Sequence, residues 1–513
     1  MKINYYLFLS IIFAFSLAVS CSLDYEPVSA YSDITEDVEE LEEIPIFRDR
    51  EAAVSARTAI ARRLRDDQEY WYQDMLLLSE VHADNAYAGT TGQEVVPWET
   101  NTIDGSNINL RRSWTMYMNN VSRANRLIWG VDPLDDLTPE EKRLFKAEAK
   151  LFRAMIYFDM VRIWGNVPLV TTLAGDITAE NIEDVYHAWF PPQTGELEVY
   201  LQIEEDLLEA VQYTLDNDPS NKTLLSKSVA RALLAKVYAE KTLRDYDKVI
   251  LYADALAADG FDLVEDYSDL FAVQLRDQTL PASASNQAID LRIRNTKESI
   301  YEVQWFPGSA NWMAMMFGRQ LHNWNSSFDW AKWITPTRDI IGAFLSEPGD
   351  VRYAESVVWY AAPWTHYYPA DNYAFSFKYR SGFNSIIKFR YADILLLKAE
   401  ALIGKGDFAG AAEIINRTRF RAGLGPLPAS AAANREAILD AYLKERRLEL
   451  AFENQRWFDL VRLDKVEEVM NTLIDRDERR LPRAYPYTQF SYIKPIPQQM
   501  IDQNPNLVQN PGY

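Results

Sequence analysis

The chain has 513 residues, 53 lysines and arginines against 75 aspartates and glutamates, and a formal net charge of −22. Such a surplus of negative charge repels nucleic acid and anionic membrane surface, which excludes a nucleic-acid-binding role. With 48% hydrophobic residues the chain can bury a large core. It holds one cysteine, so it has neither an intramolecular disulfide nor a cysteine-rich metal site.

That cysteine, Cys21, stands in "SLAVSCSLDYEP", directly after an apolar run from Tyr5 to Val19 that Lys2 precedes. A basic start, a short apolar stretch and small residues before a cut describe a secretory signal peptide over 1–20. The run is marginal for spanning a bilayer, which needs about 20 apolar residues. Ala18-Val19-Ser20 before the cysteine looks like a bacterial lipobox, with Ala18 standing where Leu is usual. Cys21 is therefore read as the lipidated first residue of the mature chain. Residues 21–45 follow as an acidic tether: "SDITEDVEELEE", 32–43, holds seven acids and no base.

Helical periodicity then dominates. "EEKRLFKAEAKLFRAMIYFDMVRIWG", 140–165, carries a broad apolar stripe that Gly165 stops, and 196–215 is a second amphipathic helix. Two later segments read as copies of one helical hairpin. Leu234 precedes Tyr246 by 12 residues, and Leu396 precedes Phe408 by the same 12, an offset of 162. Helix, polar turn and helix, with small residues for close approach, is the logic of tetratricopeptide-type units that bury their faces by stacking. Between them, residues 261–389 lose long periodicity and gain Pro, Gly, Asn and aromatics, with strand-like pieces such as "SIYEVQWF". The predicted fold class is mostly α. A helical scaffold occupies mainly 46–260 and 390–470 of a single domain spanning 46–513, and a loop-rich ligand-binding insertion occupies about 261–389.

Several stretches, taken in order, resemble the SusD/RagB family of outer-membrane nutrient-binding lipoproteins. They are "AEAKLFRAMIYFDMVRIWGNVPLV" (147–170), the hairpin from Arg390 to Leu424 ending in "NRTRFRAGL", "LKERRLELAFENQRWFDLVRL" (443–463) and "YIKPIPQQMIDQNPNLVQNPGY" (492–513). The resemblance implies a glycan-capture lipoprotein, lipid-anchored in the outer membrane and exposed at the cell surface. It also implies a partner, a SusC-like TonB-dependent transporter that docks on one face of the helical scaffold. Within the motifs, Glu445, Arg446, Arg447 and Glu449 have ion-pair spacing, and with Arg456, Trp457 and Asp459 they are read as scaffold.

No catalytic constellation stands out. His82, His187, His322 and His366 form no helical metal pair, and HExxH, GxSxG and glycine-rich phosphate loops are absent from the sequence. No enzyme, metal or cofactor is expected. "DGSNINL", 104–110, lacks the spacing of a calcium loop and reads as a polar turn. The aromatics are more informative. Residues 301–379 hold 7 of the 14 tryptophans and 20 aromatics in 79 positions. Flat C–H faces of sugar rings stack on indole and phenol faces, while their hydroxyls need amide and charged partners. Trp312, Asn323, Trp324, Trp330, Trp359, Trp364 and Tyr367 are the expected glycan-binding residues here. Trp98 and Asn101, in "VPWETNTIDG", are a second arm, in a region where family members commonly contact glycan. The alternatives are a relative that binds peptide or another nutrient, with the aromatics in docking or core, and a helical lipoprotein hydrolase.

Overall fold

In the computed structural model, the described residues are 45–175, 181–275, 277, 279, 288–305, 311–318, 332–382 and 384–513. Cys21 and the tether, His322, Asn323, Trp324 and Trp330 lie outside them. The described chain is mostly helical, as expected, and no helix among the described residues is long and apolar enough to cross a membrane.

The first half runs α1 (Arg50–Asp66), a helical stretch over Glu69–Val81 with two π-type turns, β1 (Ala86–Ala88), α2 (Val96–Thr100), α3 (Ile108–Gly130), α4 (Pro139–Trp164), α5 (Glu196–Tyr213), α6 (Lys227–Ala239) and α7 (Tyr246–Ala258). The ends of α4 show how local chemistry sets these bounds. Thr138 and Glu141 form a reciprocal capping box, Pro139 occupies the first turn with its preset φ, and Glu140 and Glu141 face the positive end of the helix dipole. Gly165 closes the helix at φ +69, a conformation that a Cβ would strain. Between these caps the helix is buried on nearly every side, against α3 and α5. Its end is clasped by the C-terminal segment: Trp164 Nε1 donates to Pro495 O (3.2 Å) and Asn510 Nδ2 to Trp164 O (2.9 Å). The first and last family-like stretches thus touch.

The second half contains β2 (Ser299–Val303), β3 (Ile334–Pro336), β4 (Val357–Tyr360), β5 (Tyr373–Ser376), β6 (Ile386–Arg390), α8 (Tyr391–Lys405), α9 (Phe408–Arg421), α10 (Arg435–Glu449) and α11 (Arg456–Arg462). The hairpin expectation holds in register: α7 starts at Tyr246 and α9 at Phe408, the two residues 162 apart. α8 packs on both α6 and α7, an arrangement compatible with stacked tetratricopeptide-like units. At Gly404 the approach is so close that an added Cβ would lie 2.0 Å from the Tyr246 ring. Leu396, Ala399, Ile403, Ala411, Ile415, Ile438 and Tyr442 form the apolar core of this layer. The repeat does not extend to charge. Lys236 is buried and paired with Asp393, whereas Lys398, its equivalent, pairs with Asp254 at the surface.

The middle of the chain is stitched to the helices by short antiparallel pairs. β3 pairs with β1 (Tyr87 opposite Thr335), β2 with β6, and β4 with β5 (Trp359 opposite Ala374, Tyr360 opposite Tyr373). Beneath them lies a buried ionic network. Arg352 bonds Asp350, Glu445 (2.6 Å) and Glu449 (3.1 Å), and Arg390 bonds Glu298 (2.7 Å), Glu449 (2.6 Å) and Glu453 (2.6 Å). Arg446 bonds Asp393 and Asp459, and Arg456 bonds Asp84 through both carboxylate oxygens, at 2.7 and 2.9 Å. Arg447 pairs with Asp339 at 2.7 Å, and Trp457 is fully buried beside His82. The residues read as scaffold are therefore interior ion pairs and core.

Candidate functional site

The site grows from the strands that join the two halves. Tyr87, on β1, lies flat on Tyr367 with ring centres 4.1 Å apart and planes within 6°. The Tyr367 hydroxyl donates to Glu99 Oε2 at 2.7 Å, and Glu99 also accepts from the backbone of Ala88 (2.6 Å) and Leu481 (2.7 Å). Burial pushes the Glu99 carboxyl above its ordinary range, against the pull of Arg480 and these donors. Burial likewise raises the Tyr367 phenol, and the neighbouring carboxylate adds to it, so the proton stays on the phenol.

On this bed stand the rings of the β4–β5 hairpin. Tyr368 donates to Pro336 O at 2.9 Å, and the Arg338 guanidinium lies 4.3 Å from its ring centre. Trp359 meets Tyr368 edge-on at 5.1 Å, and its Nε1 donates to the Tyr353 hydroxyl at 2.9 Å. Trp364 meets Tyr373 edge-on at 5.7 Å, and Tyr368 meets Tyr373 at the same distance. Four rings therefore form one connected set in which Tyr368 and Tyr373 are buried and the two indoles half-buried. Tyr360 and His366 are exposed at its margin.

The expected site residues separate. Trp359, Trp364 and Tyr367 come together, but Tyr367 is only 6% exposed and stacked on Tyr87, so it braces the site rather than facing solvent. Trp98 requires a correction. It is 1% exposed, its Nε1 donates to Glu94 O at 3.1 Å and its ring meets His82 edge-on, which makes it core with no face free for a sugar. Asn101 caps α2 in the left-handed region (φ +55), and its Nδ2 donates to Tyr485 O at 3.1 Å. Trp312 is half exposed, and its backbone N–H donates to Gln68 Oε1 at 2.7 Å; no ring contact joins it to the hairpin set among the described residues.

The two arms do meet, through Glu99 and Tyr367, which composition did not reveal. Tyr87, Tyr353, Tyr368 and Tyr373 were also missed as the bed of the site. The alternation of aromatic and small residues in "YAFS" on β5 is the signal that marks Tyr373 and Phe375 as one face. Beside Asn101, Tyr485 is 65% exposed, and a pocket of about 250 Å³ is lined by Glu99, Arg480, Leu481, Arg483 and Tyr487. In "DGSNINL", Asp104 accepts from Ser106 N and Oγ, and Asn107 caps α3, which is a polar turn. His82 Nδ1 donates to Trp98 O at 2.8 Å, and burial holds its pKa well below the usual value, so it is a neutral core histidine. Among the described residues no group of three His, Cys, Asp or Glu could hold a metal ion. The arrangement offers half-open aromatic faces on a braced bed, with amide and guanidinium groups nearby.

Comparison with known proteins matches this architecture. A family model described as "SusD family" matches residues 362–513, and one described as "Starch-binding associating with outer membrane" matches residues 31–239. The SusD-like protein P38 of Formosa agariphila is 26% identical over 505 residues, covering 90% of each chain. The crystal structure of a SusD superfamily protein from Bacteroides vulgatus superposes with a TM-score of 0.71 at 20% identity, over 91% of this chain and 100% of that one. Surface glycan-binding protein A from Bacteroides fluxus gives 0.70 at 20% identity, over 90% and 99%. Matches at both ends of the chain, in the same order and around the same helical scaffold, lead to one conclusion: this chain belongs to the SusD/RagB family.

Proposed function

We propose that the protein is a non-catalytic glycan-capture lipoprotein of the outer membrane that binds oligo- or polysaccharide and delivers it to a SusC-like TonB-dependent transporter. The observation that carries the reading is the pair of half-buried indoles, Trp359 and Trp364, held edge-on by Tyr368 and Tyr373 with Tyr360 exposed beside them. Rigid aromatic faces bind flat C–H surfaces at low ordering cost, and Arg338 and the exposed Asn372 supply polar groups for hydroxyls. Trp312, Trp324, Trp330, Asn101 and Asn323 are proposed as further glycan-binding residues, of which Asn323, Trp324 and Trp330 lie outside the described residues. The starch-binding description of the matching family model and the name of the similar Bacteroides fluxus protein support the glycan reading. The family and the cysteine after an apolar run support anchoring at the outer membrane through lipid on Cys21.

Covering about 100 Å² of one ring is worth on the order of 2.5 kcal/mol at ~25 cal/mol/Å². Two or three such contacts, less ordering costs, give roughly micromolar to millimolar affinity. That range suits capture followed by release to a transporter. A glycan array set beside a peptide library tests the ligand class. Recovery of the bound glycan unaltered after prolonged incubation tests the absence of catalysis. Binding of peptides alone, or appearance of shortened glycan products, would overturn the reading.

A further inference from the structure

Arg338 stands in the aromatic bed with no ion-pair partner among the described residues. It opens the helix Arg338–Leu345, where a cation meets the positive end of the helix dipole and is disfavoured. Helix stability therefore gives no reason for a cation there. The side chain lies on the bed instead. Nη2 donates to Tyr367 O at 2.7 Å, Nη1 reaches the Tyr87 hydroxyl at 3.5 Å, and Cζ is 4.3 Å from the Tyr368 ring centre. These contacts engage at most two of the five guanidinium N–H groups, and both acceptors are neutral. Nε bonds no described residue, yet it is not among the buried nitrogens left without a partner, so it keeps surface that solvent or a ligand can reach.

The neighbouring acids are held by other groups. Asp339 pairs with Arg447 at 2.7 Å and with Arg476 at 3.2 Å. Glu99 accepts from Tyr367, Ala88 and Leu481, and Arg480 pulls on its charge. Asp477 is buried; it accepts from the Tyr87 hydroxyl and from Arg479 N. Its charge offsets part of that on Arg338, but it takes none of the open N–H groups. The net charge of −22 does not decide against an anionic ligand. At physiological salt the Debye length is about 8 Å, so the groups at the site count and the distant surface is screened.

We propose that the hairpin takes an acidic glycan, whose carboxylate or sulfate oxygens accept the open N–H groups of Arg338 while the adjoining sugar stacks on Trp359. Both side chains border the same ring: Trp359 meets Tyr368 edge-on at 5.1 Å, and the guanidinium lies over it. A guanidinium fork matches a pair of oxyanion oxygens, and such charged bonds are roughly twice as strong as those to neutral hydroxyls. The bonds to Tyr367 and Tyr87 already hold the side chain, so little of its freedom remains to be lost on binding. This ligand class rests on the glycan reading of the hairpin and adds the sign of the ligand's charge.

The test uses an array carrying dextran, dextran sulfate, polygalacturonate, hyaluronan and neutral glucans, xylans and mannans, with calorimetry on the strongest binder. That binder should be acidic. Discharging it, by methyl esterification of carboxylates or by desulfation, should weaken binding about tenfold or more, and the treatment that acts tells carboxylate from sulfate. Arg338→Met should lose a similar factor for the acidic form and little for the discharged one, and Arg338→Lys should recover part of the loss. Trp359→Ala should weaken both forms. If Arg338→Met does not fold, the wild-type comparison of acidic and discharged glycan decides. A strongest binder that is neutral, a discharged form that binds equally well, equal losses for both forms in folded Arg338→Met, or acidic binding untouched by Trp359→Ala overturns the proposal and leaves glycan capture standing. Binding of no glycan overturns both.

Discussion

The Tyr367 hydroxyl donates to Glu99 at 2.7 Å across 268 residues of chain, and this bond joins the short helix α2 to the hairpin that carries Trp359 and Trp364. Glu99 is buried and holds three donors, so loss of one leaves a carboxylate oxygen short of a partner. Tyr367→Phe removes the donor and keeps the ring on Tyr87. It should destabilise the fold by about 1–3 kcal/mol, measured by urea denaturation. A variant with unchanged stability would mean that the bond does not hold the arms together.

Asp84 gives a pH prediction. Burial pushes its carboxyl up, but Arg447 and Arg456 outweigh burial and hold it well below the usual range. Its folded pKa lies below the unfolded value, near 3.8. Its contribution is therefore present above about pH 4 and is lost as pH falls through the folded pKa. Asp84→Asn should cost about 3–5 kcal/mol at pH 7, because the buried Arg456 loses its carboxylate partner and Arg447 keeps only Asp339. The variant should also show a shallower loss of stability below pH 4. Parallel acid limbs for the two proteins would assign that loss to other carboxylates.

The helices were legible because their signals are local. Gly165 ends α4 and the 162-residue offset sets the starts of α7 and α9 through chemistry within one turn of each residue. The site was legible in part. The density of rings over 301–379 pointed to the hairpin that carries Trp359 and Trp364, but composition does not say which ring faces inward. Trp98 sits among polar neighbours and reads as exposed, yet His82 packs on it edge-on from outside its own helix. Tyr87 and Glu99 carried no signal at all, since their roles arise from partners 280 and 268 positions away in sequence.

Leu396 tests the stacked helical layer. It is fully buried in the core shared by α8, α9 and α10. Leu396→Asp places an unpaired charge there and should cost several kcal/mol or prevent folding, on the order of the penalties for buried unpaired groups. Unchanged thermal melting would show that this face is not core.

Cys21 tests the anchor. Acyl chains contribute about 0.8 kcal/mol per buried CH₂, and more than one chain is needed for stable attachment. Cys21→Ser should give a folded protein that no longer sediments with outer membrane. Membrane association retained in cells that lack the transporter would contradict lipidation at this residue.

The central claim is that glycan stacks on Trp359 and Trp364 while Trp98 supports the fold. Calorimetry and thermal melts of the three alanine variants, with the glycan identified by array, test it most directly. Trp359→Ala and Trp364→Ala should each weaken binding by about 1–3 kcal/mol, as stacked aromatic contacts do. Both should lose less stability than Trp98→Ala, whose core truncation costs about 3–5 kcal/mol. Unchanged affinity in both hairpin variants, with stability lost as in Trp98→Ala, would make those indoles core and contradict the account.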